Sequence, residues 1–92
     1  MAAIIGNFRR KIALGRYELT SHAMEEMEND GFTIVDCKSA VYSGKVVATQ
    51  RHGPGKSKQV IEGQALDGRN MHLICRLTES GKLRIITIFE VP

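Results

Sequence analysis

Eight cationic or titratable side chains in the second half of the chain hold most of its chemical potential: Arg51, His52, Lys56, Lys58, Arg69, His72, Arg76 and Arg84. Residues two apart on a strand share a face. His72 and Arg76 should therefore stand on one side of a sheet, joined by Arg69 only where a turn re-aims it. Such a set fits RNA cleavage without a metal ion. That reaction needs a base to draw the proton of the 2′-hydroxyl, and cations to hold the phosphate as it becomes pentacovalent. Histidine, lysine and arginine supply both. The competing expectation is a solvated basic surface, the commoner fate of such residues on a small domain.

His22 is a second candidate for proton transfer. It falls in the first turn of an expected helix, where the helix dipole disfavours the protonated ring. A neutral imidazole there could act as a base or a donor to substrate, or could simply cap or pack the helix start. His22, His52 and His72 are scattered, and no His or Cys pair has ligand spacing, so neither a metal nor another cofactor is expected. Cys37 and Cys75 fall on expected apolar faces, where an inert buried thiol is far commoner than a catalytic thiolate. The Gly53-Pro54-Gly55-Lys56-Ser57 loop lacks P-loop glycine spacing and leads into a strand, which argues against phosphate cradling.

The elements that must position these residues change character near residue 45. Ile4, Ile5, Phe8 and Ile12 recur at helical spacing within residues 2–15, with Gly15 as a stop. Arg16 to Thr20 alternates and reads as an extended lead-in. Thr20 or Ser21 caps a helix to about Asn29, with Ala23, Met24 and Met27 toward the core and Gly31 ending it. Thr33 followed by Asp36 has the form of a capping box and opens a helix in which Ile34, Cys37 and Val41 share a face. Strands follow: one through Val46 and Val47, then Gln59 to Leu66 and Arg69 to Leu77 around Asp67-Gly68, then Leu83 to Val91 after Ser80-Gly81. A two-residue turn at Asp67-Gly68 would set Ile61 opposite Ile74 and Gln59 opposite Arg76. Met71, Leu73, Cys75 and Leu77 would then make the apolar face of their strand, with Asn70, His72 and Arg76 on the other beside Ile74.

The 92 residues fit one small domain, and 42% hydrophobic with 25% charged residues excludes wholesale disorder. No apolar run approaches the length of a membrane helix. Apolar residues precede Arg9, Arg10 and Lys11 at the N-terminus, the reverse of a secretory signal. With two unpaired cysteines as well, a cytoplasmic location is expected. Charge is segregated: residues 21–37 carry Glu25, Glu26, Glu28, Asp30 and Asp36 without a single Lys or Arg, whereas the remainder is basic. That distribution could hold a polyanion at one face and a basic partner at the acidic helix.

Residues 17–90 also resemble an uncharacterised bacterial domain family. The likeness rests on Ser21-His22-Ala23-Met24-Glu25-Glu26-Met27, on Gly31-Phe32-Thr33-Ile34, on Val60-Ile61-Glu62-Gly63 with Asp67-Gly68-Arg69, and on Ile85-Ile86-Thr87-Ile88-Phe89. Members of that family look like distant relatives of the RelE and MqsR toxins, some beside zinc-finger antitoxins. The resemblance implies a small α+β fold with an antiparallel sheet, and a metal-free endoribonuclease acting on messenger RNA. It points to His22, to Arg51 or Lys58, to Arg69 and to Thr87, to which the sheet-face argument adds His72 and Arg76. No tyrosine falls in the last two strands, where toxins of this type often stack a base, and residues 1–16 form an N-terminal helical extension outside the likeness.

These readings converge on one α+β domain over residues 1–92, with two or three N-terminal helices packed on an antiparallel sheet of about four strands. The expected activity is a toxin-like endoribonuclease. His22 or His72 would transfer protons with Arg76 and Thr87 at the catalytic site, and Arg51, Lys58, Arg69 and Arg84 would hold RNA phosphates. RNA and an antitoxin protein are the expected partners. The rival is a non-catalytic binding module of the same fold, docking a partner through the acidic helix 21–30; a small-molecule pocket behind the sheet has no specific residues to recommend it.

Overall fold

The computed structural model describes residues 3–51 and 57–92. In chain order the elements are α1 (Ala3–Ala13), β1 (Tyr17–Leu19), α2 (Ser21–Asn29), α3 (Ile34–Ser43), β2 (Lys45–Arg51), β3 (Ser57–Gln64), β4 (Asn70–Leu77) and β5 (Leu83–Glu90). His52, Lys56 and the Gly53-Pro54-Gly55 sequence between them lie outside the described residues, as do Met1 and Ala2.

Helix limits follow local chemistry. α1 buries Ile5, Phe8 and Ile12 and closes as the Arg16 N–H donates to the Lys11 carbonyl at 2.8 Å. Ile4, expected on the same stripe, is partly exposed. Thr20 caps α2, its Oγ1 accepting the Ala23 N–H at 3.1 Å. Met24 is turned about 100° from buried Ala23 around the helix, and it is accordingly exposed rather than inward. At α3 the capping box forms: Asp36 Oδ2 accepts the Thr33 N–H at 2.8 Å while Thr33 Oγ1 accepts the Asp36 N–H at 3.4 Å. The second carboxylate oxygen accepts the Leu66 N–H at 3.0 Å and so ties the start of α3 to the β3–β4 loop. These amide donors, Thr33 above all, hold the Asp36 carboxyl below its ordinary range.

The sheet differs from the expectation in two ways. It has five strands in the order β1-β5-β4-β3-β2, and it is mixed, because β1 runs parallel to β5 while the other neighbours are antiparallel. Tyr17–Leu19, read as a lead-in, is a true edge strand paired with Leu83–Ile85. Three residues are too few to declare a strand by period. Beyond β1, the edge of β5 is satisfied by α2: Glu26 Oε1 accepts the Ile88 N–H at 3.1 Å, and Asp30 Oδ2 accepts the Glu90 N–H at 3.2 Å. Two acids of the negative helix therefore close a sheet edge that would otherwise present bare amides.

The β3–β4 register is one residue away from the expected one. Gln64 pairs with Asn70, and the Ala65 N–H donates to the Arg69 carbonyl at 2.9 Å, so the loop is Leu66-Asp67-Gly68. Gly68 takes φ 89°, the left-handed conformation that the last residue of a three-residue hairpin loop requires. Ile61 therefore faces Leu73, not Ile74, and Gln59 faces Cys75, not Arg76. The two-residue turn would have opposed inward Ile61 to outward Ile74, which burial forbids. The β4–β5 turn repeats the design, with Thr78 N–H donating to Lys82 and Gly81 at φ 85°.

One core results, in which Ile61, Met71, Leu73, Cys75, Leu83, Ile85 and Ile88 of the sheet meet Phe8, Ala23, Cys37 and Val41 of the helices. α3 approaches β3 at backbone distance. A Cβ added at Gly63 would overlap the Ala40 carbonyl and Cα, and one at Gly44 would meet that same carbonyl.

Two outcomes follow from these contacts. Gly63→Ala should lower unfolding stability by about 2–3 kcal/mol, since the obstacle is backbone that cannot repack; urea denaturation measures it. Asp36→Ala should cost about 1–2 kcal/mol at neutral pH. Because the native carboxyl titrates below its ordinary value of 3.8, that contribution is present above pH 4 and is lost as the pH falls through the native value. Stability-versus-pH curves of the two proteins should converge in acid.

Candidate functional site

Strand alternation sorts the polar residues onto the sheet face opposite the core, where none of the described helices packs. They stand there in three cross-strand rows. The first joins Lys45, Glu62, His72 and Phe89; the second Ala48, Val60, Ile74 and Thr87; the third Arg76, Arg84 and Glu18. Successive rows lie about 7 Å apart along a strand. A bulge between Ile74 and Cys75, taken up by one extra residue on β5, keeps Thr87 and Arg84 on the same side.

In the first row, His72 Nε2 lies 2.9 Å from Glu62 Oε2, and the imidazole packs against Phe89 with ring centroids 5.2 Å apart at 59°. A carboxylate on Nε2 fixes the tautomer of a neutral ring with its proton there, which leaves the Nδ1 lone pair free to accept a proton. In the third row Arg84 Nε donates to Glu18 Oε2 at 2.9 Å. Arg76, directly across from it, has a buried Nε with no hydrogen-bond partner among the described residues. Two guanidinium groups thus stand abreast, and the one carboxylate of the row lies on the far side of Arg84 from Arg76. Lys58 lies on β3 opposite Gln50, on the same face as Val60 and Glu62 by alternation.

The structure gathers some of the expected residues and separates others. His72, Arg76, Arg84, Thr87 and Lys58 share the open face. His22 does not join them; it is exposed on α2 and pairs with Glu26 at 3.1 Å. Arg51 is exposed at the end of β2, opposite Ser57 and on the other side of the strand from Lys58. Arg69 is built into the fold. Its guanidinium donates to Asp67 at 2.8 Å, to Glu90 at 3.2 Å and to the carbonyls of Asp30 and Gly31, and it lies 4.2 Å from the Phe32 ring centroid. Four of its five N–H groups are engaged. The Asp67 carboxylate raises the Arg69 pKa still further, so the group is a permanent cation spent on holding the β3–β4 turn against the α2–α3 junction.

Three residues of the face were not singled out by sequence reasoning. Glu62 becomes the partner of His72 only in the three-residue-loop register. Phe89 supplies the strand aromatic that the absence of tyrosine concealed, and Glu18 acquires a role only once β1 is a strand. Both cysteines are buried, and burial pushes each thiol up to about 12, so neither is a nucleophile at neutral pH. Among the described residues, no helix is long and apolar enough to cross a membrane.

Arg69→Ala should lower the thermal midpoint, and Arg69→Lys should not restore it, because an ammonium cannot reach both carbonyls and both carboxylates at once. Calorimetry checks this. A midpoint unchanged in both variants would contradict the structural role.

No curated protein and no solved structure matches the chain. A family model does: that of DUF4258, a domain of unknown function, over residues 19–90. The matched span begins after α1 and contains every residue of the three rows except Glu18. By that match the chain belongs to the DUF4258 family.

Proposed function

We propose that the open sheet face binds single-stranded RNA and cleaves it without a metal ion, as a toxin-like endoribonuclease whose natural partner is a neutralising antitoxin protein. The observation that carries this reading is His72, held between Glu62 and Phe89 on the face opposite the core that it shares with the Arg76–Arg84 pair. Nδ1 of His72 takes the proton of the 2′-hydroxyl as the 2′-oxygen attacks phosphorus. The P–O5′ bond breaks, the 5′-oxygen takes a proton from solvent, and His72 returns its own proton to water. The products are a 2′,3′-cyclic phosphate and a 5′-hydroxyl. Glu62 orients the ring through Nε2, as a carboxylate does behind a general-base histidine. Arg76 and Arg84, two rows from His72, hold a neighbouring phosphate of the same strand and so fix its path across the face. Thr87 offers a hydroxyl to the ribose from the middle row, and Phe89 offers its ring to an unpaired base. Lys58 contacts a phosphate further along the bound strand, whereas Arg51 points to the other side of the sheet and takes no part.

The acidic helix is a weaker candidate for docking a basic partner than its charge suggests, since Glu26 and Asp30 are already bonded to β5. The non-catalytic alternative uses the same open face.

Incubating the protein with a single-stranded RNA in the presence of a chelator tests the reading. His72→Ala should reduce cleavage by about 10²–10⁴-fold, the usual loss on removing a general base. Glu62→Gln should reduce it less, and binding should weaken steeply with rising salt. Cleavage that survives in a folded His72→Ala, Arg76→Ala double variant would refute the site. Salt-sensitive binding with no cyclic-phosphate product would establish the binding module instead.

A further inference from the structure

Where the strands end, a cleft of about 640 Å³ opens between the first half of α1 and the β4–β5 turn. Its size falls in the usual range for ligand pockets, about 300–1,000 Å³. Ile4 and Leu77, 37% and 39% exposed, give it an apolar wall backed by buried Phe8. Arg76 and Arg84 line it too, together with the amide of Gln59 and the hydroxyl residues Ser57, Thr78 and Ser80. Glu79 is the one acid among the lining residues and is exposed.

The charges in this cleft do not balance. Like charges directly opposite on neighbouring strands repel. Glu18 offsets Arg84 at 2.9 Å, but Arg76 has no carboxylate within ion-pair distance among the described residues. Its Nε–H is buried and unbonded, a costly state for a charged donor. An oxyanion on the Arg76 guanidinium would supply the missing countercharge. An apolar wall on one side and a guanidinium on the other match the two halves of a nucleotide, its base and its phosphate.

We propose that this cleft holds one ribonucleotide of a bound single strand, its phosphate on Arg76 and its base against Ile4 and Leu77. The proposal deepens the ribonuclease reading, on which it rests for the class of ligand. It also gives α1, which lies outside the family match, a part in binding: Ile4 comes from α1, so the chain's own extension completes the subsite. The strand would cross from His72 on the open face to the cleft by way of Arg76, which belongs to both.

The test is a calorimetric or NMR titration of the full chain with adenosine 5′-monophosphate, with adenosine as the comparison. The monophosphate should bind saturably, and adenosine about tenfold or more weakly, as expected for loss of a charge-assisted contact. Arg76→Gln should weaken the monophosphate by about the same factor, with Arg76→Lys in between, while Arg10→Gln, an equal loss of charge away from the cleft, should leave affinity unchanged. Absence of saturable binding at millimolar ligand overturns the proposal, as does an affinity unaltered in both Arg76 variants. RNA cleavage assayed on the same samples keeps the two readings apart. Nucleotide binding without cleavage retains the cleft and discards the ribonuclease, and cleavage without nucleotide binding does the reverse.

Discussion

The seating of α3 on β3 is the contact on which the rest of the molecule depends. Ala40 lies so close to Gly63 and Gly44 that neither glycine has room for a side chain. Asp36, at the start of the same helix, bonds both to its own first turn and to the loop that ends β3. Helix and strand are thus locked in angle and in height. Once they are, period-two alternation settles which side of every other strand is buried, because each strand is hydrogen-bonded in register to the next. α1 and α2 add to the covered side, and none of the described helices packs on the opposite side.

A sheet covered on one face must decide what to do with the other. Here the exposed face is not a uniform polar skin. Its middle row is aliphatic, with Val60 buried and Ile74 half-buried, while the outer rows carry His72 with Glu62 and Phe89, and Arg76 with Arg84 and Glu18. Each outer row pairs a basic group with a carboxylate and leaves one further function unmatched: a ring nitrogen of His72 in the first and the Arg76 guanidinium, which has no carboxylate, in the third. Ordinary surface charge does not leave a buried guanidinium nitrogen without an acceptor. That residue of unmet bonding capacity separates a site from a solvated strand face, and it underlies the account of RNA recognition proposed here.

Much of the local structure was legible in the sequence because its causes are local. Thr20 before α2 and the Thr33–Asp36 box involve residues three apart, and the alternation of Met71, Leu73 and Cys75 needs only its own strand. What was not legible depends on partners far along the chain. β1 is three residues long and becomes a strand only beside Leu83–Ile85, more than sixty residues away. The register of β3 on β4 turned on whether Leu66 joined the loop, a choice that core packing makes and the Asp67-Gly68 pair alone does not. That one-residue difference hid the His72–Glu62 pair. Arg69 shows the opposite failure: its residue type suggested phosphate, yet Asp67, Glu90 and two carbonyls had already claimed it.

The most direct test of the account is to locate the RNA. A single-stranded RNA made uncleavable by 2′-O-methylation, titrated into isotopically labelled protein, would report its footprint through NMR shifts. The account predicts shifts at His72, Arg76, Arg84, Thr87 and Phe89, extending to Ile4, with the exposed sides of α2 and α3 unmoved. Shifts confined to the helices, or none at low salt, would contradict it.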